Sequence, residues 1–262
     1  MKSGLALSRR ARTTWVAVAA AATSGAGWAA GDFEPVTPYR PSVSSPAQLP
    51  APGQLELEFG GIRQRGDAAT RASLPYLFKL AFDRDWGVLL GGEARVWQRT
   101  ADGRASGAGD TWVTLKRAWV LDEATAWGME LALKWPTARD PIGSGRADQS
   151  LNAIFSHDFG PVHLDANCNV LRFGQVDPGT GRFQRGASAS FSTALGDHWG
   201  VTGELSGTQR TGAPSEGQLL GALTWSPTRY LTIDIGVARL ARPVPGATSV
   251  FAGVVLPLAR LW

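Results

Sequence analysis

The chain has 262 residues, rich in Gly (32) and Trp (11), with one cysteine, Cys168. A single thiol excludes a disulfide framework and a thiolate metal cluster. The formal charge of +4 sits at the start. Lys2, Arg9, Arg10 and Arg12 stand among thirty residues with no acid, and without them 26 − 4 = 22 basic residues meet 22 acidic ones. A neutral remainder gives no basic surface for nucleic-acid phosphates, so no nucleic-acid partner is expected.

The first thirty residues read as a secretory signal peptide. Lys2 to Arg12 form a positive region, Trp15 to Ala22 a short apolar one, and Gly27-Trp28-Ala29 supplies small residues for cleavage near Ala29 or Ala30. Beyond them no run of 18 apolar residues remains, so a spanning helix is not expected and any membrane crossing must use strands. Residues 31–53 carry Pro35, Pro38, Pro41, Pro46, Pro50 and Pro52 with few large apolar residues. That composition reads as a flexible, extended or disordered segment.

From Gln54 onward the spacing predicts about twelve strands, at 54–63, 71–82, 86–97, 111–120, 126–136, 148–157, 161–172, 185–195, 198–208, 217–225, 229–240 and 248–261. The clearest period of two lies at 229–240, where Leu231, Ile233, Ile235 and Val237 oppose Thr232, Asp234, Gly236 and Ala238. Trp127, Met129, Leu131, Leu133 and Trp135 likewise oppose Glu130 and Lys134, and Trp86, Val88, Leu90 and Val96 oppose Glu93 and Arg95. Arg117 falls on the apolar side near a strand end, where it can snorkel. Segment 217–225 alternates weakly, and the last strand is apolar on both faces around Phe251 and Val254.

The connections alternate between tight turns, such as Asp83-Arg84-Asp85 and Asp158-Phe159-Gly160, and longer ones rich in Gly and charge, such as Gln98 to Asp110 and Thr137 to Ala147. A soluble sandwich mixes its connection lengths. An antiparallel transmembrane β-barrel has short periplasmic turns and longer external loops, with an even strand count and both chain ends in the periplasm. Trp86, Trp119, Trp127, Trp199, Trp225 and Tyr230 lie beside the short turns, and Trp97, Trp112 and Trp135 toward the long loops. Two aromatic girdles fit the headgroup levels of a bilayer. The expectation is therefore all-β: one antiparallel barrel over 54–262 in the cell outer membrane. Its partners are outer-membrane lipid and, through the terminal Trp262, the barrel assembly machinery.

From Gly109 onward the chain resembles the outer-membrane family named for the meta-pathway of phenol degradation. The stretches that carry the likeness are Gly109 to Trp119, Met129 to Ala138, Gly143 to Val170, Gly200 to Leu205 and Leu220 to Leu240. They resemble the family's Gly-Asp strand start with a following Lys, its Lys-x-Pro-Thr-Gly strand end, its Gly-Ser-Gly loop before an Asp, and a late Asp-x-Gly strand. Here Ala138 replaces the closing Gly, and the chain ends in Trp where Phe is usual. The resemblance implies an outer-membrane transporter of small, often hydrophobic or aromatic, compounds.

A barrel of this size has a narrow interior. Its expected lining is Glu56, Glu58, Lys79, Glu93, Arg95, Lys116, Glu130, Lys134, Asp165, Glu204 and Asp234. Such rows either pair into a network that fills the lumen or set the selectivity of a path, and the excess of carboxylates favours cations. The competing readings are a filled barrel with a structural or surface role, a membrane-embedded hydrolase and a secreted β-sandwich binding module. For the hydrolase, Ser156, His157 and Asp158 are chain neighbours that point apart, and no metal spacing or cofactor motif is present. No catalytic residue, metal or cofactor is expected.

Overall fold

A computed structural model describes residues 33–242 and 246–262. The expected signal peptide and the expected cleavage near Ala29 or Ala30 lie outside the described residues. Thirteen strands run in order: β1 (Gln54–Arg65), β2 (Thr70–Ala81), β3 (Trp86–Thr100), β4 (Gly103–Gly107), β5 (Thr111–Val120), β6 (Thr125–Trp135), β7 (Asp148–Phe159), β8 (Val162–Arg172), β9 (Phe183–Leu195), β10 (Trp199–Arg210), β11 (Glu216–Thr228), β12 (Leu231–Arg242) and β13 (Thr248–Arg260). Each pairs antiparallel with its neighbours, β1 pairs with β13, and β2 with β3, which closes twelve of them into a barrel. Closure leaves no unpaired edge, the condition for crossing hydrocarbon with strands. β4 pairs with the far end of β3 as a short hairpin and was not expected from the sequence.

The two faces divide as period-two reading requires. Met129, Leu131, Leu205, Ile235 and Val250 are 43–63 % exposed on the outside, an apolar band. Trp86, Trp119, Trp127, Trp199 and Trp225 project outward at one end, and Trp97 and Trp135 at the other. Trp112 does not join the girdle: it pairs with inward-facing Lys134 and shares its face. Arg117 does point outward. It lies over the rings of Trp86 and Trp119 and pairs with Asp85 at 3.1 Å.

The turn end holds compact connections such as 160–161 and 229–230, and the opposite end holds longer ones at 136–147 and 173–182, with the β4 hairpin between β3 and β5. The difference is graded rather than strict. The connection 66–69 is no longer than the turns, because β1 and β2 both extend further than their alternation suggests. The tight connection expected at Ser226 to Thr228 also moves, since these residues belong to β11 beyond a bulge.

Two weak patterns have one cause. Leu220, Ala222, Ala238 and Phe251 form a buried apolar cluster inside the barrel, with Ile62 against it. The ring of Phe251 lies over Gly236, where a Cβ would sit 2.4 Å from it. Thus β11 and β13 lose their alternation because part of their inner face packs on itself.

Candidate functional site

The lumen is filled by the chain's own residues 33–53, which differ from the flexible linker their composition suggests. The segment enters at the turn end, where the Val36 amide donates to the Arg229 carbonyl at 3.0 Å. It rises to mid-barrel at Val43 and Ser44 and returns to the Ala81 carbonyl, to which the Gly53 amide donates at 3.0 Å.

Extended proline-rich backbone has no internal hydrogen bonds, so its amides must find partners elsewhere. The wall supplies them. The Thr37 amide donates to both oxygens of Glu56 at 3.2 Å, and the Tyr39 amide to Glu58 at 2.7 Å. The amides of Val43 and Ser44 share Glu204 Oε2 at 2.8 and 2.9 Å. Ser45 donates to Asn167 Oδ1 at 2.9 Å, and Ala47 to Ser156 Oγ at 2.8 Å. In return Lys79 donates to the Thr37 carbonyl and Lys116 to that of Pro46. Bonds to ionised groups are the strong class, about 1.5–3 kcal/mol each.

Side chains complete the seat. Arg40 grips Asp234 with two bonds, Nε at 2.8 Å and Nη2 at 3.0 Å. Its guanidinium crosses the wall where residue 253 is Gly, and a Cβ there would fall 2.3 Å from Nε. Tyr39 lies between two lysines, with Lys79 Nζ 4.4 Å and Lys116 Nζ 4.1 Å from the ring centre. Its hydroxyl donates to the Gln48 carbonyl at 2.8 Å, joining the rising and returning arms.

The sequence-derived lining residues fall into groups. Glu56, Glu58 and Lys79 form one buried cluster, with Lys79 Nζ 3.0 and 2.7 Å from the two carboxylates. Lys116 pairs with Glu130 at 3.1 Å. Lys134 pairs with Asp110 at 3.1 Å and Asp148 at 2.6 Å, toward the long-loop end. Asp165, Glu204 and Asp234 are buried, the last two holding the segment. Glu93 is half-buried and pairs with Arg71 at 2.6 Å.

Arg95 is a correction. Opposite Leu74 and Pro75 the register shifts, so β3 carries an extra residue at Ala94. A one-residue slip exchanges the faces beyond it. Val96 therefore points inward, fully buried, while Arg95 is exposed outside beside Trp97.

Sequence reasoning missed Arg40, Arg71, Asp110, Asp148, Asn152 and Ser156. One signal was available: Glu56, Glu58, Glu204 and Asp234 have no cation within four residues on their own face of the strand, so donors had to come from elsewhere.

Cavities flank the segment on several sides. One of about 520 Å³ opens toward the turn end, lined by residues including Thr37, Arg40, His163, Ser190, Thr202 and Thr232. One of about 270 Å³ lies on another side, where Val43 and Leu240 meet Asn152, Asn169, Ser206 and Gln218.

Ser156 is not placed as an acyl-transfer nucleophile. Ser156 Oγ donates to Asp165 Oδ1 at 2.5 Å, and His163 Nε2 meets the same oxygen at 3.1 Å. The carboxylate stands between hydroxyl and imidazole, whereas a serine nucleophile needs the imidazole on its own hydroxyl. His157 lies on the outer face against Thr125.

No protein-family model matches the chain, and no curated protein matches it. Solved structures do. An outer membrane channel from Pseudomonas putida F1 aligns with TM-score 0.66 and 14 % identity, over 85 % of this chain and 100 % of that one. A KdgM porin aligns at 0.53 and 10 %, over 77 % and 99 %. The translocator domain of the autotransporter NalP from Neisseria meningitidis aligns at 0.52 and 9 %, over 78 % and 88 %. At such identities the likeness concerns the fold, and the chain has the closed twelve-stranded antiparallel barrel of outer-membrane proteins.

Proposed function

We propose that this chain is an outer-membrane channel for a small solute, held shut by residues 33–53. One observation carries the reading: what fills the lumen is not the wall. The segment is joined to the barrel at Gly53 and seated by hydrogen bonds and ion pairs that water can replace. Up to Pro50 it can leave without breaking any pairing of the barrel strands, and the interior it leaves is lined by charged and polar groups. The amides and hydroxyls beside Val43 and Leu240 suit a compact solute with an apolar body and a few hydrogen-bonding groups. The family resemblance adds aromatic compounds as the class to try first. On the same reading residues 1–30 are an export signal, and the strand ending at Trp262 is what the assembly machinery receives.

The same segment is the specific observation that favours the second reading, a filled barrel with a structural role. Proteoliposomes separate the two. The channel reading expects current steps and phenol-class solute flux from the full chain, both increased when residues 33–50 are deleted. A folded, inserted barrel that stays silent even after the deletion would establish the filled-barrel reading instead.

A further inference from the structure

The outer face at the long-loop end carries a row of arginines that the lumen does not use. Strand pairing places six residues side by side: Arg239 beside Thr248, Thr248 beside Arg65, Arg65 beside Thr70, Thr70 beside Arg99, and Arg99 beside Arg104. Paired residues share a face, and this face is the lipid side, since Arg239 continues Ile233, Ile235 and Val237. Arg63 lies one step down in the same row as Trp97.

All five arginines are exposed. None has a carboxylate within ion-pair distance among the described residues; the arginines that do pair are Arg40, Arg71 and Arg117. Arg99 directly opposite Arg104 is a like-charge cross-strand pair, which costs stability unless an anion lies between. Side-chain sizes make the place concave. Thr70 and Ala72 on β2 form a low floor, flanked by Arg63 and Arg65 on one side and Arg99 and Arg104 on the other. Trp97 closes the lower edge of a hollow of about 650 Å³. An outward indole marks the headgroup level of the bilayer, so the guanidinium groups stand where lipid phosphates stand. Arginine forks match phosphate oxygens in pairs.

We propose that this hollow binds the phosphorylated glycolipid headgroup of the external leaflet, the lipid A part of lipopolysaccharide. Arg63, Arg65, Arg99 and Arg104 hold its phosphates, and Trp97 lies against the base of its acyl chains. The inference rests on the outer-membrane reading above, with the long loops outside.

The test is binding of purified bisphosphorylated lipid A to the full chain in detergent, followed by native mass spectrometry. Dephosphorylated lipid A and inorganic phosphate serve as the other probes. The expected result is preference for the bisphosphorylated form by roughly tenfold or more. The variant with Arg63→Ala, Arg65→Ala, Arg99→Ala and Arg104→Ala should lose that preference, and the four Arg→Lys changes should leave only part of it. Equal binding of the two lipid A forms, or undiminished preference in the alanine variant, would overturn the proposal. So would inorganic phosphate competing as well as the lipid, which would assign the site to a free anion. Heat-modifiable mobility shows that each variant is folded, and membrane fractionation tests the outer-membrane reading separately. A chain that fractionates with the outer membrane yet ignores phosphorylation sinks only the lipid site.

Discussion

Replacing Arg40 by Ala should unseat the lumen segment. Asp234 keeps 1 % of its side-chain surface exposed and Arg40 18 %, and the two bonds between them measure 2.8 and 3.0 Å. Removing one partner of a fully buried pair costs about 3–5 kcal/mol, because the other charge is left alone. Partial exposure of Arg40 lets water soften that penalty, so about 2–3 kcal/mol is expected here. This shifts the ratio of seated to unseated segment roughly 30- to 150-fold. Single-channel recording in planar bilayers reads the shift as a rise in open probability at unchanged unitary conductance. Gly253→Ala should act in the same direction without changing any charge, since its Cβ would meet Arg40 Nε at 2.3 Å. Adding Asp234→Asn to Arg40→Ala relieves the stranded charge and should recover much of the lost barrel stability. An Arg40→Ala channel as closed as the parent would refute the reasoning.

The barrel itself makes further predictions. Ile235 is 63 % exposed in the middle of the outer apolar band, and Ile235→Arg should cost about 2–4 kcal/mol in reversible folding into phospholipid vesicles. Gly236→Ala should cost about 1–3 kcal/mol in the same assay by forcing the Phe251 ring aside, with Phe251→Leu in the same chain recovering most of it. An unrescued loss would mean the strain lies in the backbone. Reversal potentials across a salt gradient should show weak cation preference, since carboxylates still outnumber cations along the inner wall. Anion preference would mean that Lys79, Lys116 and Lys134 dominate once the segment moves.

The wall of this barrel was legible because strand physics writes a period of two into the sequence. Ile233 and Ile235 against Thr232 and Asp234 state the two faces without any knowledge of neighbours. Arg95 was misplaced because a bulge depends on the partner strand: Gly91-Gly92 before it and Pro75 across from it permit one without saying which residue is extra. The lumen segment was unreadable for a different reason. Its contacts use backbone amides, which every sequence has, and Val43 and Ser44 find Glu204 about 160 positions away. Proline content truthfully reported the lack of internal hydrogen bonds but not where those bonds went. Leu220 and Phe251 looked like noise in two strands because they meet only after the barrel closes.

The central claim is that residues 33–53 must move for solute to pass. Ser44 Oγ and Ser188 Oγ lie 2.8 Å apart, one on the segment and one on β9, so cysteines at both places can form a disulfide. In a Cys168→Ser background, the Ser44→Cys, Ser188→Cys chain in proteoliposomes should conduct when reduced and fall silent when oxidised, reversibly. Equal flux in the oxidised and reduced states would contradict the account, because solute would then be passing a segment that cannot leave its seat.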